Sequence, residues 1–199
     1  MTLRYRPFLT AALLALGVAS APAQSQEQEP DRGWFIGAGG GITKFEGGCS
    51  VLGGTGSSCD DNGSYWKAFG GYRFNPYFGF ELAYADFGEL KTSSAASTAS
   101  YEATGMEISL VATFPLSREF SLYAKYGLYR WDVDLKTTGT GAITAETDGN
   151  DTTYGFGANY NFTKNVALRM EYQKYFDAGD AVTGTVDITT GLLGIVFKF

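Results

Sequence analysis

The sequence predicts an all-β fold: a closed, antiparallel, eight-stranded up-and-down β-barrel that spans a membrane. Three observations carry this. Apolar residues recur at every second position from Gly33 to the end of the chain, the period of strands with one face against an apolar medium. The links between these runs are alternately short and long, as at the two ends of a spanning barrel. The chain finishes GLLGIVFKF, in mid-alternation and on an aromatic residue, where a soluble domain ordinarily frays into a polar tail.

The front of the chain is of another kind. Arg4 and Arg6 precede the apolar run FLTAALLALGVA, and Ala21-Pro22-Ala23 offers small residues at a cleavage site. Basic residues, a run of about a dozen apolar residues and A-x-A together predict a secretory signal peptide over residues 1–23. The alternative is an N-terminal anchor, but the run is shorter than the roughly 20 residues that a spanning helix needs. Residues 24–32 are expected to be a short periplasmic segment, and residues 33–199 the barrel.

Eight strands follow by their alternation. The first carries Trp34, Ile36 and Ile42, the second Trp66, Ala68, Tyr72 and Phe74, the third Phe78, Phe80, Leu82 and Tyr84. Met106, Ile108, Leu110 and Phe114 mark the fourth, and Phe120, Leu122, Tyr126 and Leu128 the fifth. Tyr154, Phe156, Ala158, Tyr160 and Phe162 mark the sixth. In the seventh, Val166, Leu168, Met170 and Tyr172 take one face while Arg169, Glu171 and Gln173 take the other. Leu193, Ile195, Phe197 and Phe199 form the eighth. No run from Gly33 onward reaches half the length of a spanning helix, so a membrane form must close as a barrel, because lipid leaves unpaired backbone groups unsatisfied.

Asn75-Pro76, Pro115-Leu116-Ser117 and Thr163-Lys164 read as tight turns. The links from Phe45 to Gly63, Glu89 to Ser100, Asp132 to Asn150 and Asp177 to Thr185 are rich in Gly, Ser, Thr and Asp, and are expected to be extracellular loops. Two aromatic belts are expected at the headgroup levels. Phe74, Phe78, Phe114, Phe120, Phe162 and Phe199 lie near the short turns, and Trp66, Tyr84, Trp131, Tyr154 and Tyr172 toward the long loops. The last strand must pair with the first to remove both edges, so Phe199 can be its final residue.

Composition narrows the function. Twenty-seven Gly, 13 Tyr and 15 Phe against 5 Pro and no His suit aromatic-bearing strands. Removal of residues 1–23 takes away Arg4 and Arg6 and no acid, leaving 13 Lys and Arg against 21 Asp and Glu, a net −8. That balance speaks against a nucleic-acid partner, which would need a basic face.

The stretches GWFIGAGGGITKF and GGYRFNPYFGFELAYADFG resemble the first strand, and the second strand, turn and third strand, of the outer membrane protein A family. The resemblance in pattern runs from about Gly33 to Phe199. It implies a monomeric barrel among outer-membrane lipids, inserted by machinery that recognises a final strand ending in an aromatic residue, here Phe199 with Phe197 two positions before it. Many members continue into a peptidoglycan-binding domain; this sequence stops at the barrel, so tethering to the cell wall is not expected of it.

The polar faces of the strands carry Lys67, Arg73, Glu81, Glu107, Lys125, Arg169 and Glu171. An eight-stranded lumen is narrow enough for side chains to fill, so opposite charges there must pair. In the resembled family an interior cluster of acids and bases plugs the lumen and can act as a gate. Glu81, Lys125 and Arg169 fit it by strand and face, with Glu107 and Glu171 as additional acids. Plug and gate both remain open at this point.

Cys49 and Cys59, ten positions apart in one long link, are expected to form a disulfide in an exported chain. No metal site is expected, since His is absent, and Asp60-Asp61 and Asp148 to Asp151 lack the Gly and closing Glu of a calcium loop. No cofactor is expected either. Gly37, Gly39 and Gly41 spell GxGxG inside a strand pattern, without the helix that a dinucleotide site requires, and are read as making room for large neighbours.

Lipid-modifying barrel enzymes that activate Ser through His are excluded by composition. A soluble lipocalin-like barrel would put apolar residues inside and charges outside, the reverse of this pattern. The expectation is a non-enzymatic bacterial outer-membrane barrel contributing to envelope structure and to surface contact with an unidentified extracellular partner. A narrow solute pore is the alternative.

Overall fold

The computed structural model describes residues 32–48, 58–60, 62–93, 97–139, 142, 144–179 and 184–199. The segment 1–31, with the expected signal peptide, lies outside the described residues, as does Cys49 and with it the expected disulfide.

Nine strands run in chain order: β1 (Gly33–Glu46), β2 (Ser58–Asp60), β3 (Asn62–Arg73), β4 (Phe78–Ser93), β5 (Ser97–Pro115), β6 (Phe120–Gly139), β7 (Thr144–Asn161), β8 (Val166–Ala178) and β9 (Val186–Lys198). All but β2 form a closed ring, β1-β3-β4-β5-β6-β7-β8-β9, in which every neighbour is antiparallel. The closing pair β1–β9 runs from Phe35↔Lys198 to Glu46↔Asp187. Every barrel strand is thus paired on both sides, as a hydrocarbon surrounding demands. β2 adds three residues to the outer end of β4.

The three short turns share one device. Asn75 Oδ1 accepts the N–H groups of Tyr77 and Phe78, Ser117 Oγ those of Glu119 and Phe120, and Thr163 Oγ1 those of Asn165 and Val166. A short polar side chain at the turn's start supplies the acceptor that the turning backbone cannot. Phe199 N–H donates to Trp34 O at 2.9 Å, so the last residue is held in the closing seam.

In two of the four long links the described residues are almost all strand rather than loop. β4–β5 pairing continues to Ser93↔Thr98, and β5–β6 to Ser97↔Gly139. The β6–β7 register runs on to Lys136↔Thr144. Only the apolar half of the alternation ends at the membrane edge. Beyond it, Thr-rich segments keep the β-favouring residue types and pair without needing lipid.

Two bulges mark the outer ends. On β4 the register slips between Asp86 and Glu89, where Gly88 takes φ +76° and a Cβ would come within 2.3 Å of Ser64 O. On β8 it slips between Tyr175 and Ala178, with Asp177 at φ 50°.

The two faces divide as the alternation requires. Ile42, Leu110, Tyr126, Leu128, Phe156, Met170 and Ile195 point outward and are exposed, while Lys67, Glu81, Lys125, Arg169 and Glu171 are buried. Phe74, Phe78, Phe114, Phe120, Phe162 and Phe199 are exposed near the short turns, and Trp66, Tyr84, Tyr154 and Tyr172 near the opposite end. Trp131 is the exception to the expected upper belt. It shares the face of Lys125 and Tyr129 on β6, is 5 % exposed, and lies in the lumen over Gly149, where a Cβ would come within 2.3 Å of the indole.

Candidate functional site in the barrel lumen

Inward-facing side chains from β3, β4, β5, β6 and β8 bring six charges together. Lys67 Nζ lies 3.1 Å from Glu107, 3.2 Å from Glu171 and 3.7 Å from Glu81. Lys125 Nζ reaches the same carboxylates at 3.0, 2.9 and 3.1 Å. Arg169 Nη1 donates to Glu81 Oε2, and its Nε donates to Asn159. Three cations thus face three carboxylates, and the set is neutral. Such balance is what lets charges lie buried in a packed lumen, because an unpaired one would bear its desolvation cost alone.

Neutral donors complete the network. Gln173 Nε2 donates to Glu107 at 2.8 Å and to Thr153 Oγ1 at 2.7 Å, while its Oε1 accepts from Lys67 at 2.9 Å. Tyr123 donates to Glu171 at 2.6 Å, Tyr175 to Glu107 at 2.8 Å, and Ser109 to Glu107 at 3.0 Å. The Arg169 guanidinium also lies 4.4 Å from the Phe69 ring centre and 4.7 Å from that of Tyr123. Flat cations gain from such faces.

The structure therefore places Glu81, Glu107, Lys125, Arg169 and Glu171 in one cluster and adds Lys67 at its centre. Reasoning by motif passes over Tyr123, Gln173 and Tyr175. Their signal is period two: Gln173 and Tyr175 continue the face of Arg169 and Glu171, and Tyr123 precedes Lys125 by two. Gly37, Gly39 and Gly41 line the same lumen. A Cβ on Gly37 would come within 2.5 Å of the Phe69 ring, and one on Gly39 within 2.6 Å of Leu193 O. Gly37 and Gly39 give space to packed neighbours, whereas a Cβ on Gly41 would meet first the backbone of Gly191 and Leu192.

Phe197 and Phe199 lie on the outer face, 50 % and 70 % exposed. On the outer surface past the apolar band, Lys174 Nζ contacts Glu46 at 2.9 Å and Asp187 at 3.0 Å, and Thr189 donates to Glu46 at 2.7 Å. This group bridges β8, β9 and β1. The Lys174 and Thr189 hydrogen bonds hold the Glu46 carboxyl below its ordinary pKa, and the same carboxylates push Lys174 up.

Comparison with known proteins gives the same architecture. The model of the OmpA-like transmembrane domain matches residues 29–199. Outer membrane protein A of Yersinia pseudotuberculosis is 28 % identical over 196 residues, covering 96 % of this chain and 55 % of that protein. That of Escherichia coli O157:H7 is 27 % identical over 192 residues, covering 96 % and 54 %. The chain spans about half the length of these relatives.

Among solved structures, Neisserial surface protein A superposes with a TM-score of 0.61 at 16 % identity, covering 83 % of this chain and 97 % of that one. Ail, the attachment invasion locus protein of Yersinia pestis, solved with the heparin analogue sucrose octasulfate, gives 0.56 at 15 % identity, covering 85 % and 99 %. Both share the barrel fold. The lipid-facing surface, the closed ring and these relatives place the protein in the bacterial outer membrane, and the chain belongs to the OmpA-like transmembrane domain family.

Proposed function

We propose that this protein is a non-enzymatic outer-membrane barrel that stiffens the envelope and displays strand ribbons at the cell surface. One observation carries the reading: the lumen is filled by paired side chains, whereas β4, β5, β6 and β7 continue well past the apolar band. A packed interior favours a scaffold, and projecting ribbons supply the contact surface. Their outward face carries Glu102, Asp132, Asp134, Glu146 and Asp148 against Arg130 and Lys136, with Asp132 directly opposite Asp148 and Asp134 opposite Glu146. Such a face repels polyanions. A sulfated ligand of the kind solved with Ail is therefore not carried over to this face. Phe197 and Phe199, in the closing seam, are the residues offered to the insertion machinery.

A second reading is a narrow pore gated by the charge cluster. It is favoured by the sharing of Glu81, Glu107 and Glu171 between Lys67 and Lys125, which allows pairs to exchange without leaving a charge unpaired. Planar-bilayer conductance of the refolded protein, beside a Glu81→Ala/Lys125→Ala/Arg169→Ala variant, separates the two. A silent wild type supports the scaffold. Brief small openings, enlarged in the variant, support the gated pore.

A further inference from the structure

The lumen has a second layer that neither reading uses. Outside the charges, Phe45, Tyr65, Phe87, Tyr101, Tyr129 and Tyr175 are each at most 2 % exposed and point inward. Each shared strand has the same order. Tyr65 lies on the extracellular side of Lys67 on β3, Phe87 of Glu81 on β4, Tyr101 of Glu107 on β5, Tyr129 of Lys125 on β6 and Tyr175 of Glu171 on β8. β4 and β8 are four places apart in the ring of eight, hence diametrically opposed. Yet the Phe87 and Tyr175 ring centres are 4.7 Å apart. Two side chains from opposite walls meet in the middle of the bore. Tyr129 packs on Tyr175 at 5.0 Å and Tyr65 stacks on Phe87 at 5.9 Å, which extends the layer to the remaining walls.

This layer is also tied down. Tyr129 donates to Phe176 O and Tyr101 to Ala178 O, the two carbonyls flanking Asp177 in the β8 bulge. Tyr65 and Tyr175 hydroxyls lie 3.3 Å apart, and Tyr175 reaches through to Glu107 in the charge layer.

We propose that the Phe87–Tyr175 aromatic layer is a separate extracellular closure of the lumen, in series with the charge network and latched to it through Tyr175. Loss of the ion pairs then leaves the barrel shut from outside. Where the protein conducts, this layer must move before the charges can matter. That last clause rests on the pore reading; the closure itself does not.

Side-specific labelling tests it. In a Cys49→Ser/Cys59→Ser background, Ala85→Cys puts a thiol between the two layers, since Ala85 points inward on β4 between Glu81 and Phe87. Cells displaying the protein are treated with a small membrane-impermeant thiol reagent from outside, and bilayer conductance is recorded in parallel. Tyr65→Ala/Phe87→Ala is expected to label more than about tenfold faster than the parent, the factor that roughly 1.4 kcal/mol in the closed-to-open equilibrium gives. Glu81→Ala/Lys125→Ala/Arg169→Ala is expected to label at the parent rate. If the aromatic variant fails to assemble, Phe87→Leu/Tyr175→Leu takes its place in the comparison. Equal acceleration by the charge variant, or none by either aromatic variant, overturns the proposal. Silent bilayers with aromatic-specific labelling remove the pore reading and leave the closure standing.

Discussion

Lys67 and Lys125, three places apart in the ring of strands, are bound to the same three carboxylates, with every N···O separation between 2.9 and 3.7 Å. Neither lysine owns a partner. Removing one leaves three carboxylates against two cations, and removing a partner from a buried set costs about 3–5 kcal/mol. Lys125→Met is expected to lower barrel stability on that scale. Adding Glu107→Gln restores neutrality and should recover part of the loss. Urea unfolding of the refolded proteins in one detergent reads both, and a double variant less stable than Lys125→Met alone contradicts a neutral shared network.

Arg169 is held by shape as well as charge. Its guanidinium donates to Glu81 and Asn159 while lying against Phe69 and Tyr123. An ammonium keeps the charge but lacks the planar fork that serves Glu81 and Asn159 from separate nitrogens while lying flat against a ring. Arg169→Lys is therefore expected to cost about 1–2 kcal/mol, the scale of a desolvated cation–π contact. Unchanged unfolding would reduce Arg169 to a point charge.

Glycines 37 and 40 provide a matched test of the packed lumen. A Cβ at Gly37 would press into the Phe69 ring and Ile195 O, whereas at Gly40 the nearest atom, Tyr65 O, is 3.4 Å away. Gly37→Ala is expected to cost about 1–3 kcal/mol, as overpacking does, and Gly40→Ala much less. The ranking is measured as folded yield and unfolding midpoint, and the reverse order would mean that the lumen yields more readily than the lipid-facing wall.

The Lys174, Glu46 and Asp187 group should make the outer end of the closing seam sensitive to pH. Glu46 titrates below its ordinary value in the folded barrel, so its contribution is present above the ordinary carboxylate range and is lost as pH falls through the lowered value. Lys174 is raised, so its contribution holds at neutral pH and is lost only in strong alkali. Protection from amide exchange at the outer end of β1–β9, taken relative to the intrinsic rate at each pH, is expected to fall below about pH 4, and to lose that dependence in Lys174→Met. Because the group is exposed, salt should weaken the effect.

Alternation of period two, with lipid outside, settles which way almost every residue between the belts faces. A charge cannot turn to hydrocarbon, and a Leu or Ile gains by doing so. Hence eight strands, three tight turns and an inward Glu81, Lys125 and Arg169 are all legible from residue order. Trp131 is misread only when its aromatic character is weighed above its parity with Lys125. What alternation cannot carry is height. Whether Lys67 meets Glu107, or Phe87 meets Tyr175 across the bore, depends on the stagger of strands remote in sequence, set by turn lengths and by the bulges at Gly88 and Asp177. The outer reach of β4 to β7 is likewise decided by backbone pairing beyond the membrane edge, where lipid no longer imposes a pattern on the side chains.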